Sequence, residues 1–427
     1  MLISVFTPTH RDGKYLLDTW ESLKEQAYPL WEWVIVPNGN GVVPEIIKDD
    51  PRVRIVPFTG ERLPTPNTRY SIGELKNFAC QHCNGEIYLE LDDDDIITPN
   101  TLGSVAQEFL NPEIQMVYSN TAEFQDETWA ARSFSDWWGW KTRPFEYKGH
   151  QLIENIAWPP TAHSYRHIFW SPNHLRAFRA TGYWAIGGHD PNLPLVDDHD
   201  LNIRFYLQYG KKGVKHIDEA LYLYRIHGGS TCMNFSSEIR DQDVLWYDKY
   251  IVPMAERWAK DENLLMVDLG GSFNAPAEYM TVDLRENCDI QADLNGKFPF
   301  GDNKVGLLRA FHILEHLNDP VHSMNEIFRV LAPGGFAFIE VPSTDGRGAW
   351  QDPTHVSHWN ENSFFYYTRH DQAQFIQPQS KARFQESYLT THFPNEWYKE
   401  NNIPCALAHL ICLKPGYEER RAGAIFI

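Results

Sequence analysis

The sequence is poor in cysteine, has no long hydrophobic run, and carries fewer basic than acidic residues. Six cysteines in 427 residues are too few for the disulfide framework of a small secreted domain. No apolar run approaches the roughly 18 residues that a membrane-spanning helix needs. The 38 Lys and Arg against 57 Asp and Glu give a net charge of −19, which argues against nucleic acid or an anionic membrane as the main partner.

The beginning of the chain also lacks the features of a secretion signal. Residues Met1 to Phe6 contain no basic residue, so we interpret them as a first strand and not as a signal peptide. We therefore expect a cytoplasmic enzyme. The length is sufficient for two domains.

The most informative stretch is a short strand pattern that runs into four consecutive carboxylates. Apolar and polar residues alternate from Ile87 to Leu91, which is the period of a β-strand. Residues Asp92 to Asp95 follow at once, and such crowded carboxylates repel one another unless a cation lies among them. A solvated acidic turn is the alternative interpretation. Because the strand directs these acids to one place, we favour a site for Mg²⁺ or Mn²⁺, which prefer oxygen ligands.

The N-terminal half alternates strand and helix patterns. The segments Ile3 to Phe6 and Val53 to Val56 are interpreted as strands, and the continuous apolar run from Trp33 to Val36 predicts a buried parallel strand. Residues near the carboxyl ends of such strands meet at one edge of a sheet. The sequence therefore predicts an α/β domain with its ligand loops at that edge.

The order of several motifs in this half resembles family 2 glycosyltransferases of the GT-A fold, a Rossmann-like fold that binds nucleotide sugars. The carriers are Thr7-Pro8-Thr9, the strand and turn from Trp33 to Gly39, Lys76-Asn77, and Leu91 to Asp95. In that family an Asp-x-Asp pair holds a divalent cation on the diphosphate of the donor. The family's acidic pair after the second strand is replaced here by Pro37-Asn38.

The resemblance implies a UDP- or GDP-linked sugar as donor and Mn²⁺ or Mg²⁺ as metal. It places Asp94, Asp92 and His227 at the metal. The implied donor contacts are Pro8, Asn38, Lys76, Asn77, Asp92, Asp93 and Arg225. Arg225 and His227 belong to a Tyr-Arg-x-His pattern that often ends the family's catalytic domain.

A second acidic pair, Asp197-Asp198, follows the Gly187-Gly188 turn. In the family, the second acid at this place is the base that deprotonates the acceptor hydroxyl, which maps onto Asp198, with Asp197 beside it. Inversion at the anomeric carbon requires such a base on the face opposite the leaving diphosphate. The alternative is a cluster of acids that stabilises the start of a helix.

Tryptophans interleave with Arg and His between Trp129 and Trp184. Aromatic faces stack on sugar rings, so this region suits an acceptor cleft for a glycan. Packing of the same side chains inside a loop region is the alternative.

The C-terminal third restarts the strand and helix rhythm and is similar to class I S-adenosylmethionine-dependent methyltransferases. The carriers include Val267-Asp-Leu-Gly-Gly271, Val282-Asp283, and Arg329-Val-Leu-Ala-Pro-Gly-Gly335. The resemblance implies that S-adenosylmethionine contacts Asp268, Gly270, Gly271, Asp283, Asp293 and His312. Only a short segment separates Gly270 from Asp283, too short for a full crossover helix and its loops.

The string His312-Ile-Leu-Glu315-His316 also matches the H-x-x-E-H spacing of inverted zinc peptidases. That chemistry needs both histidines on one helix face. Here the string ends an apolar run at the place where the methyltransferase pattern expects it, so we favour the methyltransferase interpretation. A polar turn from Asp352 to His358 either binds the methyl acceptor or caps a helix.

The sequence thus predicts two α/β domains, a GT-A domain at residues 1–235 and a doubly wound, class I methyltransferase-like sheet at 263–427, with a helical linker at 236–262. The predicted activity is metal-dependent, inverting transfer of a sugar to a hydroxyl of a glycan, with possible methylation of the product. Two alternatives are a non-catalytic binder of nucleotide sugars or glycans, and a glycosyltransferase whose second domain is only a scaffold.

Overall fold

The structure, a computed structural model, describes residues 1–59, 72–136, 139–165, 171–193, 195–228, 236–271 and 274–417. It divides into two compact units, Met1–Met254 and Ala255–Ile427. Each unit contains its own sheet, so the predicted α/β class with two domains is confirmed. The division falls inside the segment that the sequence assigns to a linker, and the exact domain limits stay predictions.

The first unit is built on an 11-stranded sheet with the order β3-β2-β1-β4-β10-β6-β11-β5. In addition, β7 and β9 pair with β6, and β8 pairs with β9. Its strands are β1 Ile3–Thr9, β2 Trp31–Pro37, β3 Val53–Ile55, β4 Ile87–Glu90, β5 Ile96–Ile97, β6 Met116–Gln125, β7 Ala131–Arg132, β8 Thr142–Tyr147, β9 His150–Asn155, β10 Arg176–Arg179 and β11 Val214–Ile226. Its helices are α1 Leu16–Lys24, α2 Glu45–Lys48, α3 Ile72–Gln81, α4 Thr101–Glu108, α5 Ala162–Tyr165, α6 Ala180–Ala185 and α7 Asp197–Gly213, with α8 Ser236–Asp261 reaching past the division.

The centre of this sheet is apolar on both faces because helices cover both. Strands β1, β2 and β4 are parallel neighbours, and the successive residues Val5 and Phe6, which point to opposite faces, are both fully buried, as expected for strands covered on both sides. The chain order reverses between β1 and β4, and ligands of open α/β sheets bind outside the strand ends at such a point. The acidic run lies there.

The second unit holds a seven-stranded sheet in the order β14-β13-β12-β15-β16-β18-β17. Its strands are β12 Leu265–Leu269, β13 Met280–Asp283, β14 Ile290–Gln291, β15 Val305–Phe311, β16 Leu331–Pro342, β17 Phe384–His392 and β18 Cys405–Cys412. Its further helices are α9 Pro320–Val330, α10 Gly348–Gln351, α11 Phe365–Thr368, α12 His370–Ala373 and α13 Glu396–Glu400, with 3-10 turns at Leu314–His316 and Glu361–Phe364. Strand β18 is antiparallel between β16 and β17, and the other strands are parallel.

The connection from β12 to β13 contains no helix among its described residues. The sequence anticipated this from the short spacing between Gly270 and Asp283. In the part of the connection that the structure describes, the second unit therefore has no crossover helix next to the glycine turn. Within the described ranges, none of the helices is both long enough and apolar enough to cross a membrane.

A buried carboxylate in β6 makes a stability prediction possible. Burial raises the pKa of Glu123 to about 7, against a weak opposing effect of Arg132, whose Nε lies 3.7 Å away. Because the folded pKa exceeds the unfolded value, the free energy of unfolding falls as pH rises from about 4.3 through 7. We expect Glu123→Gln to stabilise the protein at pH 8 by up to about 3 kcal/mol and to change little at pH 5.

Urea denaturation at the two pH values measures this difference. Glu113→Gln, at an exposed position, is the matched control and should behave like the wild type at both. An equal effect of Glu123→Gln at pH 5 and pH 8 would contradict the prediction.

Candidate active site

The acidic loop after β4 gathers its oxygen atoms in one place beside the end of β1. One carboxylate oxygen from each of Asp92, Asp94 and Asp95 lies within 4.8 Å of the others. Asp94 and Asp95 are buried, and Asp92 is partly exposed. Three converging oxygens on a short loop match the ligand preference of Mg²⁺ and Mn²⁺.

Two cationic side chains approach the same loop from other elements. Arg11, just after β1, forms ion pairs with Asp94 and with Asp93, the latter at 3.2 Å. Nε2 of His227, just after β11, lies 2.8 Å from Oδ2 of Asp94 and 3.4 Å from the Arg11 guanidinium. Arg11 therefore contacts the carboxylate of Asp94 and the ring nitrogen of His227, the two groups that the sequence analysis predicts as metal ligands.

Arg225 holds the acidic loop from behind. Its backbone N–H donates to Asp95 at 2.7 Å, and its Nε donates to the Asp94 carbonyl at 2.8 Å. Its two terminal nitrogens donate to Asp126 and Asp18, each at 2.8 Å. The guanidinium is thus engaged with protein groups at every nitrogen, which fixes the loop shape.

The crowding of the loop changes the proton affinities of its acids. Burial and the neighbouring charges of Glu90 and Asp94 raise the pKa of Asp92, and burial with the charge of Asp94 also raises that of Asp93. Although burial opposes it, contacts with His227 and Arg11 lower the pKa of Asp94. Asp94 is therefore the loop acid that Arg11 and His227 keep ionised.

A second charged network lies next to this loop and is centred on Arg176 of β10. Antiparallel pairing sets Arg176 opposite Glu90, and its Nε donates to Oε2 of Glu90 at 3.0 Å. Its NH1 donates to Oδ2 of Asp198 at 2.6 Å. On the other side, Nζ of Lys76 lies 2.6 Å from Glu90 and 3.1 Å from Asp197.

Asp197 and Asp198 open α7 but differ in exposure and charge. The Asp197 side chain is 4% exposed and that of Asp198 is 26% exposed. Burial raises the pKa of Asp197 to about 6 against the opposing effect of Lys76. In spite of burial, Arg176 holds the pKa of Asp198 well below its usual range. Asp198 is therefore the ionised and accessible member of the pair.

His174 connects the two networks. Its Nε2 lies 3.5 Å from Oδ2 of Asp92 and 3.2 Å from NH2 of Arg176, and its ring stacks on Tyr222. Burial and the charge of Arg176 lower its pKa to about 3, so the ring is neutral at pH 7. A continuous path of contacts thus leads from Asp92 through His174 and Arg176 to Asp198.

The other predicted donor contacts make hydrogen bonds within the domain. Nδ2 of Asn38 donates to the Thr9 carbonyl at 2.9 Å, and Pro8 lies in β1 opposite Val36. Asn77 donates to the His189 carbonyl and accepts from Tyr183. These residues lie near the edge of the sheet where the acidic loop is, and their role as donor contacts stays a prediction.

Arg11, His174, Arg176 and Glu90 were not among the predicted site residues. Arg176 and His174 lie in a region where the sequence offered only aromatic and basic residues without a motif. Arg11 gave one signal, its position two residues beyond the Thr7-Pro8-Thr9 motif. Within the aromatic region, Trp140 and Trp158 are buried and pack edge to face, while Trp137, Trp138 and Trp170 lie outside the described residues.

Four of the residues predicted to bind S-adenosylmethionine, Asp268, Gly270, Gly271 and Asp283, lie at the ends of β12 and β13. Gly270 has φ +75°, and a Cβ on Gly271 would come within 2.8 Å of the Asp268 carboxyl carbon, so this turn requires both glycines. Asp268 forms an ion pair with Arg309. Asp283 ends β13 half-buried, and its Oδ1 accepts the N–H of Arg285.

The two remaining predicted residues, Asp293 and His312, each contact other protein groups. Asp293 is exposed, and its Oδ1 accepts from the backbone and side chain of Asn295. Nε2 of His312 lies 3.1 Å from Glu340. The glycine turn and Asp283 fit a nucleoside cofactor, whereas Asp268 and His312 have protein partners.

Two family descriptions match the chain. Residues 4–169 match Glycosyl transferase family 2, and residues 251–339 match a methyltransferase domain. The O-antigen biosynthesis glycosyltransferase WbnJ of Escherichia coli is 26% identical over 240 residues, which are 54% of this chain and 82% of that protein. An uncharacterized methyltransferase of Schizosaccharomyces pombe is 29% identical over 90 residues, which are 21% of this chain and 32% of that protein.

Solved structures are similar at lower identity. The structure of S. aureus TarS 1-349 in complex with UDP-GlcNAc is 17% identical with a TM-score of 0.42, covering 65% of this chain and 77% of that one. The mannosyltransferase PcManGT from Pyrobaculum calidifontis in complex with GDP-Man and Mn2+ is 15% identical with a TM-score of 0.39, covering 61% and 64%.

Proposed function

Because residues 4–169 match Glycosyl transferase family 2 and residues 251–339 match a methyltransferase domain, we propose that the first half of the chain transfers a sugar, with inversion, from a nucleotide sugar to a hydroxyl of a glycan. The observation that carries the proposal is the path of contacts from Asp92 to Asp198. This path links the converging carboxylate oxygens of the acidic loop, which suit a divalent metal, to the ionised and accessible carboxylate of Asp198. A binding protein has no need for such a base.

Asp92, Asp94 and His227 would hold the metal, which is Mn²⁺ or Mg²⁺. When bound, the cation neutralises the charge that develops on the departing nucleotide diphosphate. Asp198 accepts the proton of the acceptor hydroxyl as that oxygen bonds to the anomeric carbon. The bond from this carbon to the diphosphate breaks on the opposite face, which inverts the configuration.

Arg176 and Glu90 prepare Asp198 for this role. The guanidinium is only 2% exposed, and its two carboxylate partners fix it in place. It keeps Asp198 ionised but leaves part of the side chain accessible. The lowered pKa makes Asp198 a weak base, so we infer that it takes the proton late, as the bond to the sugar forms.

A screen of UDP- and GDP-linked sugars with purified protein tests the activity. Donor hydrolysis and transfer are measured with and without Mn²⁺, and donor binding is measured by thermal shift, since a bound donor raises the melting temperature. Turnover in the wild type that is lost in Asp198→Asn supports the transferase. Binding without turnover in either protein would instead support a non-catalytic binder.

The acceptor and the location remain proposals. The similarity to a glycosyltransferase of O-antigen biosynthesis favours a polysaccharide acceptor. We propose that the enzyme acts in the cytoplasm, where a nucleotide-sugar donor is available to it.

Arg11 gives a prediction about the metal. Its guanidinium pairs with Asp93 and Asp94 and lies beside His227, so it competes with a cation for these groups. We expect Arg11→Gln to bind Mn²⁺ about tenfold more tightly without donor, which corresponds to about 1.4 kcal/mol. We also propose that Arg11, once the metal displaces it, pairs with the donor diphosphate, so we expect slower transfer by the variant.

Calorimetry of Mn²⁺ binding measures the first effect, and transfer assays measure the second. Arg52→Gln is the control, because Arg52 pairs with Asp50 outside the acidic loop. Unchanged or weaker Mn²⁺ binding by Arg11→Gln would count against the competition.

For the second half we propose binding of S-adenosylmethionine and methylation of the glycan product. Gly270, Gly271 and Asp283 would hold the cofactor, which supplies the methyl group. The short connection between β12 and β13 favours the alternative of a scaffold, so binding must be measured directly.

Replacing Asp283 with alanine should weaken S-adenosylmethionine binding at least about tenfold, since a lost hydrogen bond to a charged group costs roughly 1.5–3 kcal/mol. Calorimetry on the full chain measures this, with Asp371→Ala at an exposed position as control. Absent binding in the wild type, with no effect of Asp283→Ala, would favour the scaffold.

A further inference from the structure

The H-x-x-E-H string does not form the helical site that its spacing suggests. His312 precedes a 3-10 turn at Leu314–His316, and its ring pairs with Glu340. Both oxygens of Glu340 are occupied, since Nε2 of His392 lies 2.9 Å from Oε2. The first histidine of the string is therefore already part of an ion-pair cluster.

Glu315 and His316 instead meet a third residue, His355, from the polar turn that follows α10. One ligand atom from each of these three residues lies within 4.8 Å of the others. The turn is fastened to them, because the N–H groups of Val356 and Ser357 both donate to the Glu315 carbonyl, at 2.9 and 3.0 Å. The three side chains are thus brought together by backbone contacts and not by chance surface proximity.

The hydrogen bonds of the two histidines leave their Nε2 atoms as acceptors. Nδ1 of His316 lies 3.1 Å from both the carbonyl and the hydroxyl oxygen of Thr354, and that hydroxyl donates to Asp352. Nδ1 of His355 lies 3.3 Å from the Ala349 carbonyl, and its Nε2 lies 3.8 Å from Oδ2 of Asp352, which is beyond hydrogen-bond distance. A carbonyl only accepts, so Nδ1 carries the hydrogen in both neutral rings and Nε2 keeps a lone pair. Metal-binding histidines are oriented in this way.

The carboxylate of Glu315 supplies a third acceptor, although its Oε1 lies 3.6 Å from Nδ1 of His312. The residue is 2% exposed, and its Oε2 has no hydrogen-bond partner among the residues that the structure describes. A buried, unpaired carboxylate oxygen is costly. Two imidazole nitrogens and one such oxygen in a small space call for a cation.

We propose that Glu315, His316 and His355 bind a zinc-type divalent metal in the C-terminal domain, with the fourth position left to water or a substrate oxygen. Two imidazoles and a carboxylate are a ligand set of open zinc sites, and imidazole favours Zn²⁺ over Mg²⁺. The site follows the carboxyl end of β15, the side on which doubly wound sheets bind ligands. It is separate from the acidic loop of the first unit and independent of the transferase proposal.

The test uses the full chain without a histidine tag, stripped of metal and then titrated with ZnCl₂. We expect His316→Ala and His355→Ala each to lose one equivalent of tightly bound zinc. The affinity of that equivalent should fall more than about 100-fold, since loss of an outer partner alone costs roughly 10–100-fold. Asp94→Asn removes only the site in the acidic loop and should keep this equivalent.

His358→Ala is the matched control, because His358 lies in the same turn but is exposed and packs on Trp350. It should bind zinc like the wild type. Co²⁺ added to the wild type should give the visible absorption of a four-coordinate ion. This measurement uses the wild type alone, so it does not depend on whether a variant folds. Absence of that absorption, or equal zinc uptake by wild type, His316→Ala and His355→Ala, would overturn the proposal.

Discussion

Asp198→Asn should lower the rate of sugar transfer by roughly 10²–10⁴-fold, which is the contribution of a positioned general base. The amide is close in size to the carboxylate and can still contact Arg176, so the loss reports the missing proton acceptor. Donor affinity should stay near that of the wild type, because Asp198 acts on the acceptor. Steady-state assays with saturating donor measure the loss in kcat.

Asp190→Asn is the matched control for this variant. Asp190 lies in the preceding turn, and its Oδ1 accepts from the backbone and side chain of Asn192. It should transfer sugar at the wild-type rate. Wild-type kcat in Asp198→Asn would remove Asp198 from the mechanism, and a loss of donor binding would show that its role is structural.

Asp94→Asn should lower metal-dependent transfer by at least about 1,000-fold, since metal stabilisation of a transition-state charge is worth several kcal/mol. Asp94 is the loop acid that Arg11 and His227 keep ionised. Its replacement leaves His227 without its anionic partner and removes a metal ligand. The effect is measured from the transfer rate as a function of Mn²⁺ concentration. In Asp94→Asn the rate should no longer depend on Mn²⁺.

The control for the metal variant is Asp12→Asn. Asp12 is exposed, and its Oδ1 accepts the N–H of Lys14. Asp12→Asn therefore changes the net charge by the same amount as Asp94→Asn but removes no proposed metal ligand. Its rate should respond to Mn²⁺ like that of the wild type. A normal Mn²⁺ response in Asp94→Asn would contradict the proposed metal site.

The sequence predicted the fold well because its strands are apolar and end in recognisable turns. The acidic run follows β4 and the acidic pair opens α7, so their positions could be predicted from the pattern. Arg176 could not be found in this way. Its importance comes from antiparallel pairing that sets it opposite Glu90, and such pairing of distant segments leaves no local signal.

The H-x-x-E-H string is a second case in which contacts between distant segments could not be predicted from local sequence. The spacing suggested a helix with two histidines on one face, but the local conformation is a 3-10 turn. The residue that completes the cluster, His355, lies about forty positions further along the chain. The H-x-x-E-H spacing includes Glu315 and His316 of the proposed zinc site, but it implies a geometry that the chain does not adopt.

The long helix α8 has a practical consequence for preparing the two halves separately. The hydroxyl of Tyr250 donates to Asp200 at 2.6 Å in the first unit, whereas Trp258 packs against Phe336 in the second. A fragment ending at residue 235 would lack the first contact, and one beginning at residue 263 would lack the second. Expression plasmids for either half should therefore encode the whole of this helix, so that each truncated protein keeps its own aromatic anchor.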